Sequence, residues 1–253
     1  KIEHTFISSG TTGDQSKHLI SDLSIYEKSF MTSFQEFYGD LSDYCVLALL
    51  PNYMEQEGSS LIYMTDYLIR KSNHPKSGFY LNNYEDLSET IFQLEEKKQK
   101  TIILGVSYAL INLAEKFPQK LKHSIVMETG GMKGKGKELI KKELHQILKS
   151  AFSIQHVHSE YGMTELLSQS YSKGENIFRS PIWKKIIIRE IHDPLSIIDN
   201  NILGGINIID LANIYSCPFI ASQDLGKTYK DGTFSILGRL DNSDIRGCNL
   251  MAL

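Results

Sequence analysis

The sequence predicts an α/β fold: a partly parallel sheet flanked by helices, followed by a smaller strand-rich part. Three observations predict it. Up to about residue 171, short β-prone apolar runs alternate with longer stretches of helical pattern. From about residue 183 onward, apolar runs follow one another without a helical stretch between them. The 253 residues, 41% hydrophobic and 23% charged, have an ordinary globular composition and suffice for one large domain or two small ones.

In chain order, helical pattern covers 21–38, strand pattern Tyr44–Leu50 and Ser60–Met64, and helical pattern 84–98. Strand Thr101–Gly105, helix 107–117 and strand Ser124–Glu128 come next. The clearest helix is 135–151, with Leu139, Ile140, Leu144, Ile147 and Leu148 on one face and lysines on the other. A short helix is expected over 163–171. Strands Ile186–Glu190, Ile206–Asp210 and Phe219–Ser222 then form a smaller antiparallel sheet. The α/β part is thus 1–182 and the strand-rich part 183–253.

Several function classes are disfavoured at once. A net charge of −3 gives no electrostatic case for nucleic acid. No apolar run approaches the ~18–20 residues of a transmembrane span. Cys45, Cys217 and Cys248 are odd in number, far apart and without CxxC spacing, which argues against a disulfide framework or structural zinc and for free thiols in a cytoplasmic protein. Cys45 and Cys217 read as core residues. His156 and His158 share a face if extended, but no further ligand repeats that spacing, so each reads as structural.

The richest segment is Phe6-Ile7-Ser8-Ser9-Gly10-Thr11-Thr12-Gly13-Asp14-Gln15-Ser16-Lys17. Glycines permit a tight turn and close backbone approach. Hydroxyls, backbone N–H groups and Lys17 supply donors and positive charge, which suits a polyphosphate. An ordinary Gly/Ser/Thr loop has the same composition. A second glycine-rich stretch, Gly131–Glu138, fits Gly-x4-Gly-Lys, but Glu138 stands where a Walker loop needs a hydroxyl for Mg²⁺.

Three further pieces change the balance: Tyr161-Gly162-Met163-Thr164-Glu165, Ser222-Gln223-Asp224-Leu225-Gly226 and Gly238-Arg239-Leu240-Asp241. With the first loop, in this order, they resemble the adenylate-forming superfamily of acyl-CoA synthetases, peptide-synthetase adenylation domains and luciferases. Glu128-Thr129-Gly130-Gly131-Met132-Lys133-Gly134 and Arg246-Gly247-Cys248 look most like its acyl-protein synthetases of the LuxE type.

The resemblance implies ATP and Mg²⁺ as cofactors. It implies that Ser8, Ser9, Gly10, Thr11, Thr12, Gly13 and Lys17 hold phosphates. Gly130 and Gly131 let the backbone pass close to adenine, and Tyr161 and Gly162 flank it. Thr164 contacts the α-phosphate or acyl phosphate, and Glu165 holds Mg²⁺. Asp224 takes the ribose hydroxyls, since its two oxygens suit a vicinal diol, and Arg239 contacts ribose or phosphate. Cys248 carries the acyl group as a thioester, its thiolate favoured by Arg246 nearby; a small buried hydrophobe is the alternative reading. The implied substrate is a carboxylic acid, a fatty acid in the acyl-protein synthetase branch, with an acyl reductase as partner. Pro51–Leu61 and Gly105–Leu110 are candidate walls of its pocket. Against the family pattern, the chain is expected to lack an N-terminal segment and the mobile C-terminal domain with its second catalytic lysine. Two other readings stay open: a ligase similar to phenylacetate-CoA ligases with CoA as the thiol, and a nucleotide-binding module without turnover.

Overall fold

In the computed structural model, residues 1–8, 15–50, 58–80, 83–130 and 141–240 are described. The chain opens with a small antiparallel ribbon, β1 (His4–Ile7) paired with β2 (Lys17–Ile20). Helix α1 (Leu23–Tyr38) follows, its start fixed by Asp22, whose side chain accepts from the Ser24 N–H at 3.0 Å. Next come β3 (Cys45–Leu49), α2 (Ser60–Ser72), β4 (Gly78–Phe79) and α3 (Tyr84–Glu96). Then β5 (Thr101–Gly105), α4 (Ser107–Lys116), β6 (Ser124–Glu128), α5 (Lys141–Phe152) and β7 (His158–Tyr161) complete the alternating portion. The remaining strands are β8 (Ser170–Ser172), β9 (Ile177–Arg179), β10 (Lys184–Arg189), β11 (Gly204–Asp210), β12 (Phe219–Thr228) and β13 (Phe234–Arg239).

Apart from the ribbon, these strands form one mixed sheet in the order β10-β11-β12-β13-β9-β8-β7-β6-β5-β3-β4. Strands β4, β3, β5, β6 and β7 run parallel. Their residues alternate between two cores, as the two-residue strand period requires. Leu47, Ile103 and Val126 pack against Leu87 of α3, Leu110 of α4 and Leu148 of α5. Val46, Ile102, Leu104 and Met127 pack against Tyr26 and Phe30 of α1 and Met64 and Leu68 of α2. Helices therefore cover both faces, and β3 and β5 are buried along their whole length. A third cluster, with Tyr161, Phe178, Ile188, Ile206 and Phe234, fills the antiparallel half.

The α/β expectation matches this architecture, and four local expectations are corrected. The strand-rich tail is antiparallel, but it joins the parallel half through β13, β9 and β8 instead of standing as a separate sheet. Ser60–Met64 is the first turn and more of helix α2: Ser59 accepts from the Ile62 N–H at 3.4 Å, and the helical period runs on through Leu68 to Ser72. Residues 163–171 are not helical. The Leu167 and Ser168 N–H groups donate to the buried Asp210 carboxylate at 2.9 and 3.0 Å, so they are withdrawn from any helical ladder, and β8 follows. Cys217 is exposed, whereas Cys45 is fully buried in β3, where burial pushes its thiol up to about 11.

Candidate active site

Parallel strands of such a sheet deliver their C-terminal ends, and the loops after them, to one edge of the molecule. Three of the residues singled out from sequence meet there. Tyr161, the last residue of β7, donates its hydroxyl to Asp224 Oδ2 at 2.7 Å. Asp224 lies in β12 directly across from Arg239 of β13, whose Nε stands 3.4 Å from Asp224 Oδ1. Asp224 is thus a strand residue and not a turn residue. The hairpin that presents it closes at Asp231-Gly232, where Gly232 has φ +80° and the Tyr229 N–H donates to the Thr233 carbonyl at 2.8 Å.

Tyr161 is 9% exposed. Phe178 and Phe234 meet it edge-on at 6.1 and 6.0 Å, and the Lys184 ammonium stands 5.1 Å from its centroid. Burial, then the Asp224 charge, pushes the Tyr161 phenol far up, so it serves as a hydrogen-bond donor at any ordinary pH.

A second group forms at the stem of the first glycine-rich loop. Ser8 and Ser16 close that stem: the Ser8 N–H donates to the Ser16 carbonyl at 3.0 Å, and the Ser16 N–H to Ser8 Oγ at 2.8 Å. Ser16 Oγ in turn donates to Glu165 Oε1. Asn213 secures the same turn, donating to the Glu165 carbonyl at 2.7 Å while its Oδ1 meets His18 Nε2 at 2.9 Å. The loop stem and the Tyr161–Glu165 segment, 149 residues apart in sequence for Ser16 and Glu165, are therefore brought together. Thr164 is half-buried in that turn, outside any helix. Lys17 is exposed at the start of β2, opposite Ile7. Ser9, Gly10, Thr11, Thr12, Gly13, Gly131 and Cys248 lie outside the described residues, as do Gly131–Glu138 and Pro51–Glu57.

Gly130 has φ +65°, the left-handed region that glycine adopts without strain, and its N–H donates to Glu128 Oε2 at 2.9 Å. Glu128 is buried; burial opposes its charge, but His145 and the Lys141 ammonium 2.8 Å from Oε1 outweigh that cost and hold it down to about 2. Its carboxylate thereby ties Gly130 to the first residue of α5.

Four charged side chains central to this edge were not singled out from sequence: Glu128, Glu160, Lys184 and Asp210. Asp210 is fully buried and accepts from the Leu167, Ser168 and Ala212 N–H groups and from Ser168 Oγ at 2.6 Å. Lys184 donates to the Ser168 carbonyl at 2.9 Å, and burial brings it down to about 8 against the pull of Asp210 and Glu160. For three of them a signal was present in sequence: Glu128 and Asp210 end an apolar β run and Lys184 opens one, where a solvated position is not expected, whereas Glu160 lies inside the polar strand β7. His158, by contrast, is a structural residue. Its Nδ1 meets Tyr38 Oη at 3.3 Å, and burial lowers it to about 4. Among the described residues no helix is long and apolar enough to cross a membrane.

No protein-family model and no curated protein matches the chain. Solved structures do. ATP-bound MatB from Rhodopseudomonas palustris superposes with a TM-score of 0.68 at 14% identity, over 94% of this chain and 48% of that one. O-succinylbenzoate Coenzyme A synthetase from Bacillus subtilis, in complex with AMP, gives 0.61 at 18% identity over 96% of this chain and 50% of that one. The luciferase-like enzyme of the nonluminescent mealworm Zophobas morio gives 0.59 at 17% identity over 96% and 58%. The chain spans about half the length of these proteins, and over that span it shares their mixed α/β fold.

Proposed function

We propose that this chain is the carboxylate-activating part of an ATP-dependent adenylate-forming ligase of the acyl-protein synthetase type. The observation that carries the reading is the Tyr161–Asp224–Arg239 group beside the Ser8–Ser16–Glu165 group, on a fold shared with an ATP-bound enzyme. Asp224 has acceptor capacity beyond its bond to Tyr161 for the ribose diol. Tyr161, Gly162, Gly130 and Gly131 border the adenine, and Arg239 faces ribose or phosphate. Ser8, Ser9, Gly10, Thr11, Thr12, Gly13 and Lys17 cradle the β- and γ-phosphates.

Glu165 suits a magnesium ion. Mg²⁺ keeps several waters and takes one or two carboxylates together with nucleotide phosphates, and Glu165 offers a half-buried carboxylate beside the loop stem. The ion, when bound, neutralises polyphosphate charge. The protein's own contribution is positioning and electrostatics. A carboxylate oxygen of the acid bonds to the α-phosphorus, within reach of Thr164. The bond from that phosphorus to the bridging oxygen breaks, and pyrophosphate leaves with the electron pair. A thiolate, that of Cys248, then adds to the acyl carbon and AMP departs. The acid is a fatty acid, and the thioester serves a cytoplasmic partner reductase. Likeness to a Coenzyme A synthetase supports a second reading in which CoA is the thiol.

The test uses the full-length protein with ATP, Mg²⁺ and radiolabelled fatty acid, without CoA, followed by a denaturing gel and hydroxylamine. The expected result is a hydroxylamine-labile label on the protein, lost in Cys248→Ser while acyl-AMP formation persists. A label that survives in Cys248→Ser moves the thioester elsewhere. A thioester formed only after CoA is added supports the second reading.

A further inference from the structure

Glu160 sits immediately before Tyr161, inside the fold. Its Oε2 accepts from Thr129 Oγ1 at 2.6 Å, which joins the end of β7 to the residue after β6. Glu160 also lines a small apolar cavity walled by Phe34, Met64, Leu104, Met127 and Tyr171. The charged groups around it are Lys184 of β10, Glu128 of β6 and Lys141 of α5, and the phenols of Tyr26, Tyr38 and Tyr171 also feel its charge.

The position of Glu160 Oε1 matters for its neighbour. A Cβ added at Gly162 would stand 2.5 Å from Glu160 Oε1, and the nearest atom of any other residue, Gln169 Nε2, is at 3.6 Å. Gly162 does not have a positive φ, so no left-handed backbone demands glycine there. The obstacle to a side chain at 162 is therefore the carboxyl of Glu160, and that carboxyl is held by Thr129 against an apolar wall.

We propose that Glu160 is a positioning residue of the Tyr161–Gly162 turn: its clamped carboxyl fills the space a side chain at position 162 needs, so the protein's own interior requires glycine there. The requirement and the acid form one device. Glu160 braces the turn from inside, and Gly162 lets it do so while keeping the outer surface of the turn low. The nucleotide arm of the test below rests on the proposed function; the melting arm does not.

The experiment is a double-mutant cycle in the full chain with Gly162→Ala, Glu160→Asp and the double variant, read by thermal melting and by calorimetric titration with ATP and Mg²⁺. Aspartate withdraws the carboxyl by one methylene. Gly162→Ala is expected to lower the melting temperature and to weaken ATP about tenfold in the native background, and to do much less in the Glu160→Asp background. Equal penalties in both backgrounds would overturn the proposal. A chain that melts as expected but binds no ATP would overturn the proposed function and leave the coupling established. Glu160→Gln, which keeps the shape, adds a reading that a purely structural acid would not give. Burial pushes Glu160 up to about 7, so its proton is lost as pH rises through neutrality, adding negative charge behind the nucleotide turn. ATP affinity is therefore expected to fall across that range in the native chain and to be flatter in Glu160→Gln. Identical pH profiles would count against a positioning role.

Discussion

Glu165→Gln is expected to slow carboxylate-dependent ATP–pyrophosphate exchange by about 10²–10³-fold, the usual cost of removing one preorganised electrostatic partner from a transition state. The substitution keeps the side chain's shape. An amide oxygen still accepts the Ser16 hydroxyl, and the Asn213 bond goes to the Glu165 backbone carbonyl, which is untouched. The turn is therefore retained and melting is expected to change little. What is lost is the negative charge that, on the proposed function, would hold a divalent cation against the polyphosphate. Raising Mg²⁺ should recover part of the rate. Unchanged exchange at ordinary Mg²⁺ would remove Glu165 from the mechanism.

The largest effect on stability is expected at Asp210. Its carboxylate accepts three backbone N–H groups and one hydroxyl in a fully buried setting. Asp210→Ala leaves those donors without an acceptor, at about 1–3 kcal/mol for each that water does not reach. It also strips the buried Lys184 of a neighbouring negative charge. A loss of about 3–5 kcal/mol is expected in chemical denaturation. Asp210→Asn, which keeps one acceptor oxygen, should cost less. Because Asp210 fixes Leu167 and Ser168, just beyond Glu165, the alanine variant should also lose more exchange activity than its folded fraction explains. Equal stability of Asp210→Ala and the native chain would refute the role assigned to this carboxylate.

These two residues mark what sequence reveals and what it conceals. Thr101–Gly105 and Ser124–Glu128 were legible to the residue because strands buried on both faces are unbroken apolar runs. Helix α1 was legible because its apolar positions repeat with helical period. Residues 163–171 misled because local pattern there is overruled by Asp210, about forty residues later. Ser60–Met64 misled because five residues are too few to separate alternation from a helical face. β13 was missed, although Asp231-Gly232 announces its hairpin. Of the candidate site residues, Tyr161, Asp224 and Arg239 were singled out from short motifs, and the structure brings them into side-chain contact. The supporting charges Glu160, Lys184 and Asp210 were not, because their significance lies in burial and in partners from distant strands.

The most direct test of the account is carboxylate-dependent exchange of radiolabelled pyrophosphate into ATP by the full-length protein, across straight-chain fatty acids of increasing length. The account predicts exchange that requires both the acid and Mg²⁺ and collapses in Glu165→Gln. ATP binding without exchange for any carboxylic acid would contradict adenylate formation and leave a nucleotide-binding module in its place.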